Sequence, residues 1–99
     1  MSVVLELSWT GVTPEQYDRA RDLVDWESVP ALGGIFHVAW FDESGLRVLD
    51  VWESEDAFRS FLGERLIPVL DEIGIAGEPR VAFHPAHRYF NVEAEAAAA

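Results

Sequence analysis

Two strand-like runs separated by a short polar stretch dominate the hydrophobic pattern of this chain. Residues 35–41 and 46–52 are rich in β-branched and aromatic side chains, which favour strands. The stretch Asp42-Glu43-Ser44-Gly45 between them has the composition of a turn. The pattern therefore predicts a β-hairpin in which Glu43 and Ser44 form a two-residue loop.

This loop fixes the expected register of the hairpin. Counting outward from it, His37 faces Asp50, and facing residues share a sheet face while successive residues alternate. One face then carries the pair among apolar neighbours: Ile35, Ala39, Phe41, Leu46, Val48 and Trp52. The opposite face, which we expect to pack against the helices, carries Phe36, Val38, Trp40, Arg47, Leu49 and Val51. A one-residue bulge at Gly45 would change these pairs.

Two helices and two further strands flank the hairpin in the prediction. Residues 3–9 alternate weakly, as in a strand. Thr13, Pro14 and Gln16 are typical of a capped helix start, and that helix is expected to run to about Trp26. Its predicted buried stripe is Tyr17, Ala20, Leu23 and Val24.

The second helix is predicted to begin at Ser54, a good N-cap residue. Pro68 then bends or restarts it, because proline lacks an N–H and crowds the preceding turn. Its expected stripe is Phe58, Phe61, Leu62 and Leu66. Residues 80–90 are predicted to form the last strand, which Pro85 interrupts or marks as an edge.

The order β-α-β-β-α-β predicts a ferredoxin-like α+β fold. Right-handed crossovers give a four-stranded antiparallel sheet of order 4-1-3-2 with both helices on one face. Residues 1–92 are expected to form this domain, and residues 93–99, rich in Ala and Glu, a disordered tail. The uncovered face would expose more apolar surface than a monomer usually does. We therefore predict a homodimer paired through sheet faces, a dimeric α+β barrel, with His37 and Asp50 in its apolar lumen.

Composition and charge limit the kinds of site and partner that the chain is expected to have. The chain has 99 residues and no cysteine, which excludes disulfides and zinc–thiolate sites and suits the cytoplasm. No apolar run reaches the roughly 20 residues of a membrane span. The net charge of −11 repels phosphate backbones and anionic membranes, so neither nucleic acid nor a membrane is an expected partner.

The opposed His37 and Asp50 form the strongest candidate site. A carboxylate that accepts a hydrogen bond from imidazole fixes its tautomer and raises its basicity, which favours acid–base catalysis. A polar bridge between strands would look the same. Trp52 on this face can stack on a flat ligand or simply pack the dimer core. Glu6 joins the face as a second acid only if the leucines that flank it point towards the helices.

A metal site is not predicted, although two histidines lie close together near the end of the chain. His84 and His87 are three residues apart on a predicted strand, so they point to opposite faces unless Pro85 kinks it. No third ligand accompanies them, whereas metal sites need three or four convergent ligands. We expect His87 or Tyr89 to reach the rim of the lumen and contact an apolar ligand there.

One segment resembles a known family. Residues 50–58, Asp-Val-Trp-Glu-Ser-Glu-Asp-Ala-Phe, are similar to the antibiotic biosynthesis monooxygenase group of the dimeric α+β barrel superfamily, and the element order agrees over nearly the whole chain. With Phe36-His37-Val38-Ala39 and Pro85-Ala86-His87, the segment also resembles a branch of small uncharacterised actinobacterial proteins. The resemblance implies a homodimer that uses no cofactor.

The resemblance also implies chemistry. Characterised members oxidise phenolic polyketides to quinones without a cofactor, using an Asn and a Trp four residues later. Trp52 matches that Trp, but Val48 stands at the Asn position and cannot hydrogen-bond a substrate oxygen. Haem-degrading relatives place a ligand His on a helix, whereas all three His here fall on predicted strands. Related cyclases use a His with a Tyr partner as acid and base, a role in which His37 could act with Asp50.

Three functions remain open from the sequence. The first is cofactor-free oxygenation of a small, flat, apolar, phenolic molecule, with His37 as base and Trp52 holding the ring. The second is a cyclase or isomerase that uses the same base without oxygen. The third is a non-catalytic or stress-related protein that only binds a ligand. The side chain of Val48 favours the second and third over the first.

Overall fold

The computed structural model describes residues 1–91. Its four strands form one antiparallel sheet of order β2-β3-β1-β4, with the helices packed on one face. This ferredoxin-like α+β arrangement confirms the predicted fold and strand order. The elements are β1 (Val3–Thr10), α1 (Pro14–Val24), β2 (Gly34–Phe41), β3 (Gly45–Trp52), α2 (Glu55–Phe61), a π-helical turn (Leu62–Leu66), α3 (Ile67–Ile73) and β4 (Arg80–Pro85).

The start of α1 is the predicted capping box. The Thr13 hydroxyl accepts a hydrogen bond from the Gln16 amide, and the Gln16 side chain accepts one from the Thr13 amide. The helix ends earlier than expected, because Asp25 adopts a left-handed conformation (φ 59°). Trp26 therefore lies in the following loop. Leu23 was wrongly placed in the buried stripe and is 44 % exposed.

The second helix begins at the predicted cap, and its regular α-helical structure is interrupted just before Pro68. Ser54 caps α2 by accepting a hydrogen bond from the Ala57 amide. A π-helical turn then separates α2 from α3, whose second residue is Pro68. Because proline lacks an N–H and crowds the preceding turn, the wider π turn accommodates it without ending the helix.

The hairpin loop is the expected two-residue connection. Asp42 Oδ1 accepts hydrogen bonds from the Ser44 and Gly45 amides at 2.9 and 3.1 Å, and these bonds lower the pKa of Asp42. Gly45 has φ +146°, and a Cβ there would lie 2.5 Å from the Trp9 carbonyl oxygen. The position therefore requires glycine.

The predicted hairpin register is confirmed. His37 faces Asp50, and the pairing continues to Phe41 with Leu46 without a bulge at Gly45. The irregularity lies instead at the other end of β2, between Gly34 and Phe36.

The predicted assignment of the two sheet faces was wrong. The face that carries His37 and Asp50 packs against the helices and is not the uncovered face. Strand β1 determines this, because it pairs Leu5 with Asp50 and Trp9 with Leu46, and both Leu5 and Trp9 are buried. The helix-free face, which we call the open face, carries Phe36, Val38 and Trp40, each 40–46 % exposed.

The core between sheet and helices has two centres. One contains Trp9, Val12, Leu46 and Val48. The other contains Leu5, Trp52 and Phe58. Both contain helix-facing residues of the central strands β1 and β3, so these two strands line the sheet side of the space between the centres.

The end of the described chain differs from the prediction. Strand β4 ends at Pro85, so His87 and Tyr89 follow the strand and do not belong to it. The predicted tail, residues 93–99, lies outside the described residues. Among residues 1–91 no helix is both long and apolar enough to span a membrane.

Candidate functional site

A row of four hydrogen-bonded side chains lies on the helix-covered side of the sheet. The Tyr17 hydroxyl is 2.7 Å from His37 Nε2. His37 Nδ1 is 2.6 Å from Asp50 Oδ1. Trp52 Nε1 donates to Asp50 Oδ2 at 3.0 Å. The row thus runs from a phenol on α1 through an imidazole on β2 to a carboxylate and an indole on β3.

Local structure explains how these side chains meet. The hairpin register opposes His37 and Asp50, and Trp52 follows Asp50 by two residues on the same face. Tyr17 lies in the first turn of α1, where its amide donates to the Thr13 carbonyl at 3.0 Å. The capping box therefore anchors the turn that presents the phenol.

With an ionised Asp50 and a neutral His37, the hydrogen bonds of the row fit one tautomer of the imidazole. An ionised carboxylate only accepts, so the proton between Asp50 and His37 belongs to Nδ1. In neutral imidazole the other nitrogen then has a free lone pair, and His37 Nε2 accepts from the Tyr17 hydroxyl. Asp50 thereby directs the basic nitrogen of His37 towards Tyr17.

The burial of Asp50 is compensated within the row. Asp50 is 6 % exposed, and its two oxygens accept from His37 and Trp52. No buried side-chain polar atom among residues 1–91 lacks a partner. Burial, followed by the negative charge of Asp50, raises the pKa of Tyr17 above its ordinary value, so the phenol keeps its proton at neutral pH.

A cavity of about 250 Å³ lies beside the row, between the sheet and the helices. Its volume is slightly below the roughly 300–1,000 Å³ of typical ligand pockets but above the roughly 150 Å³ that holds benzene. It therefore suits a molecule larger than benzene and smaller than most drugs. Apart from Tyr17, His37, Asp50 and Gly34, its walls are apolar or aromatic, including Trp9, Trp26, Leu46, Val48, Leu70 and Ile75.

The loop after α1 covers one side of the row. Trp26 lies 5.7 Å from the Tyr17 ring and 5.6 Å from the His37 ring, centroid to centroid. Arg21 on α1 binds Glu27 of the loop through two nitrogens, and this pairing lowers the pKa of Glu27. The ion pair thus joins α1 to the loop that contains Trp26.

Some of the residues predicted to bind a ligand line the cavity, and others do not. Ile35, Val48 and Trp52 line the cavity. Phe41 is not among the lining residues and packs against Tyr17, with the ring centroids 6.2 Å apart.

Three other candidates lie away from the cavity. Leu5 and Leu7 point towards the helices, as predicted, but so does His37. Glu6 therefore lies on the opposite, open face, where it is hydrogen-bonded to His84 at 3.1 Å. It is therefore not a second acid beside His37. His87 and Tyr89 are exposed and do not line the cavity.

Tyr17, which the sequence places only in the buried stripe of α1, and Trp26, expected only as the end of that helix, both line the cavity. A signal existed for Tyr17, because a tyrosine in a buried helix stripe needs a partner for its hydroxyl. Among residues 1–91 no group of three or more His, Cys, Asp and Glu side chains is placed to hold a metal ion.

Comparison with solved structures shows that the fold is shared with known proteins. No family model and no curated protein matches the chain. Among solved structures, SnoaB, a cofactor-independent oxygenase from Streptomyces nogalater, matches with TM-score 0.61 and 13 % identity over 89 % of this chain and 94 % of that one. The ActVA-Orf6 monooxygenase of Streptomyces coelicolor, in complex with nanaomycin D, matches with TM-score 0.59 and 16 % identity over 93 % and 92 %.

A dimeric ferredoxin-like protein from Thermobifida fusca also matches, with TM-score 0.62 and 13 % identity over 87 % of this chain and 92 % of that one. At these identities the likeness establishes a shared fold. The resemblance to antibiotic biosynthesis monooxygenases found in the sequence is confirmed at that level.

Proposed function

We propose that this protein is a cofactor-free enzyme that removes a proton from a small, flat, apolar phenol or enol held in the cavity. His37 is the base and Asp50 orients it. The observation that carries the proposal is the 2.6 Å bond from His37 Nδ1 to Asp50 beside an apolar cavity of about 250 Å³. A histidine oriented by a buried carboxylate is a common general base.

Oxygenation follows from the anion that this step creates. Loss of the proton leaves an electron-rich phenolate or enolate, which can pass electrons to molecular oxygen directly. In the full reaction one oxygen atom enters the ring to give a quinone, and the other leaves as water with two hydrogens of the substrate. The shared fold with SnoaB supports this outcome.

Oxygen-independent proton transfer is the second candidate. The 2.7 Å contact between Tyr17 and His37 supplies an acid beside a base, which is what isomerisation or cyclisation needs. Val48 lines the cavity but offers no hydrogen bond to a substrate oxygen, and this also favours chemistry without oxygen.

We also propose that the protein forms a homodimer through its open faces. Phe36, Val38 and Trp40 form an exposed apolar row along β2, and exposed apolar patches of this kind mark interaction surfaces. The dimeric state of the Thermobifida fusca protein of the same fold supports this pairing. The cavity lies on the other side of the sheet, so each protomer would hold a complete site.

The test compares His37→Ala with His87→Ala, whose histidine lies outside the cavity. Each variant is incubated with neutral hydroxynaphthalenes under air and under argon, while oxygen uptake and deuterium exchange at ring carbons are followed. We expect both signals to fall at least 100-fold in His37→Ala and to persist in His87→Ala. Exchange without oxygen uptake would assign the second candidate. Ligand binding with neither signal in the unaltered protein would leave a binding protein.

A further inference from the structure

We infer that Tyr17, and not His37, is the group that touches the substrate, and that the substrate is a molecule without an anionic group that carries one phenolic or enolic hydroxyl on an apolar body. This inference rests on the proposed function and makes it more specific. The four side chains of the row differ in which donor and acceptor atoms remain available to hydrogen-bond a ligand.

The other three members of the row offer a ligand less than Tyr17 does. Each oxygen of Asp50 already accepts one hydrogen bond, from His37 or from Trp52, and the residue is only 6 % exposed. The single indole N–H of Trp52 is used in that bond. His37 donates from Nδ1 to Asp50, and its Nε2 lone pair accepts from Tyr17 at 2.7 Å, so the imidazole offers a ligand no further lone pair.

The Tyr17 oxygen is the exception. Its proton is donated to His37, but a phenolic oxygen also has lone pairs that can accept a hydrogen bond, and Tyr17 lines the cavity. A substrate hydroxyl therefore meets the row by donating to the Tyr17 oxygen.

Proton transfer then proceeds as a two-step relay. The substrate O–H bond breaks and its proton forms a new bond to the Tyr17 oxygen, while the original Tyr17 proton moves to His37 Nε2. The products are a substrate anion, a neutral Tyr17 and an imidazolium that the Asp50 carboxylate stabilises. Tyr17 begins and ends protonated, in keeping with its raised pKa. The reverse relay returns a proton to the anion.

The cavity also restricts the charge of the substrate. Among residues 1–91 no arginine lines the cavity, and the chain contains no lysine. Within the same described range Asp50 is the only acid in the lining, and each of its oxygens already accepts a hydrogen bond. A carboxylate or phosphate on the ligand would be buried without a partner, which is costly. The cavity therefore disfavours anionic molecules.

Calorimetric titration with three probes tests both parts: 2-naphthol, 2-methoxynaphthalene, whose hydroxyl is capped, and 2-naphthoate. We expect the unaltered protein to bind 2-naphthol about tenfold more tightly than the capped probe, the effect of one hydrogen bond, and 2-naphthoate at least as weakly as the capped probe. Tyr17→Phe should abolish the preference for the hydroxyl. Tyr89→Phe, which changes the other tyrosine of the chain, should retain it.

His37→Ala separates the inference from the proposed function. If Tyr17 touches the ligand, His37→Ala keeps part of the hydroxyl preference but loses deuterium exchange. A preference that survives Tyr17→Phe and disappears in His37→Ala would overturn the relay and leave the proposed base in place. An unaltered protein that does not distinguish 2-naphthol from the capped probe would count against both. Tighter binding of 2-naphthoate would overturn the predicted substrate class.

A second measurement does not depend on any variant. The ¹⁵N resonances of the His37 ring report whether Nε2 accepts a hydrogen bond. We expect Nε2 to remain an acceptor from Tyr17 when 2-naphthol binds. Displacement of Tyr17 from Nε2 by the probe would refute the relay.

Discussion

Replacing Asp50 with asparagine tests the protonation pattern of the row directly. Asp50 receives hydrogen bonds from His37 Nδ1 and Trp52 Nε1. An amide has one accepting oxygen and one donating nitrogen, and the indole can only donate. The asparagine oxygen must therefore face Trp52, and its NH₂ group must face His37.

That orientation forces a change of tautomer. His37 Nδ1 has to become the acceptor, so the ring proton moves to Nε2. Nε2 then donates to the Tyr17 oxygen and no longer accepts its proton. The basic nitrogen turns away from the cavity, and we expect proton transfer to be lost even though His37 and Tyr17 are both present.

The cost in stability follows from the two bonds. A hydrogen bond to a charged group contributes about 1.5–3 kcal/mol and a neutral one about 1 kcal/mol. Exchanging two charged bonds for two neutral ones lowers the free energy of unfolding by about 2 kcal/mol. For a domain of this size that is a fall in melting temperature of about 10 °C.

Asp71→Asn is the matched control, because it removes one negative charge from an exposed position on α3. We expect it to change the free energy of unfolding by less than about 0.5 kcal/mol. Urea denaturation measures both variants, and ¹⁵N spectra of the His37 ring report the tautomer. An Asp50→Asn protein that keeps its proton on Nδ1, or is as stable as Asp71→Asn, would refute the reasoning.

Three further predictions concern Tyr17, the loop after α1 and the open face. Burial and the Asp50 charge raise the pKa of Tyr17 above 10.0, so the unfolded chain ionises first. The stability due to Tyr17 is therefore present below pH 10 and lost as pH rises through the folded-state pKa. Urea denaturation midpoints measured as pH rises above 10 should show this loss of stability in Tyr89→Phe and not in Tyr17→Phe. Arg21→Ala should speed amide exchange in residues 25–33 with little change in melting temperature. Exchange rates equal to those of the unaltered protein would argue against a role of the Arg21–Glu27 ion pair in holding this loop. Trp40→Glu should shift sedimentation from dimer to monomer, and a monomeric unaltered protein would remove the proposed interface.

Local signals explain why much of the fold was predictable. Turn chemistry at Asp42 and Gly45 fixes the loop length, and the loop length fixes every pair of the hairpin, including His37 with Asp50. The caps at Thr13 and Ser54 place both helix starts in the same way. Each of these features depends on residues a few positions apart, where sequence spacing and physical contact agree.

The covered face was not predictable from the hairpin alone. Both of its faces are largely apolar, so alternation does not show which one meets the helices. Strand β1 resolves this, because Glu6 is exposed while Leu5 is fully buried. Because Leu5 pairs with Asp50 in the antiparallel sheet, the buried face of β1 identifies the buried face of β3. Register between strands that are distant in sequence was the missing information.

The role of Tyr17 depends on a contact between helix and sheet that no local pattern encodes. Its position in the apolar stripe of α1 is the same for a core tyrosine and for a site tyrosine. The difference lies in what faces its hydroxyl, and that is His37, twenty residues away. Once His37 is known to lie under α1, the polar end of Tyr17 has a partner and the neutral imidazole has a donor. The correct sheet face therefore decides more than packing, since it turns an isolated His–Asp pair into a row of four hydrogen-bonded side chains beside a cavity.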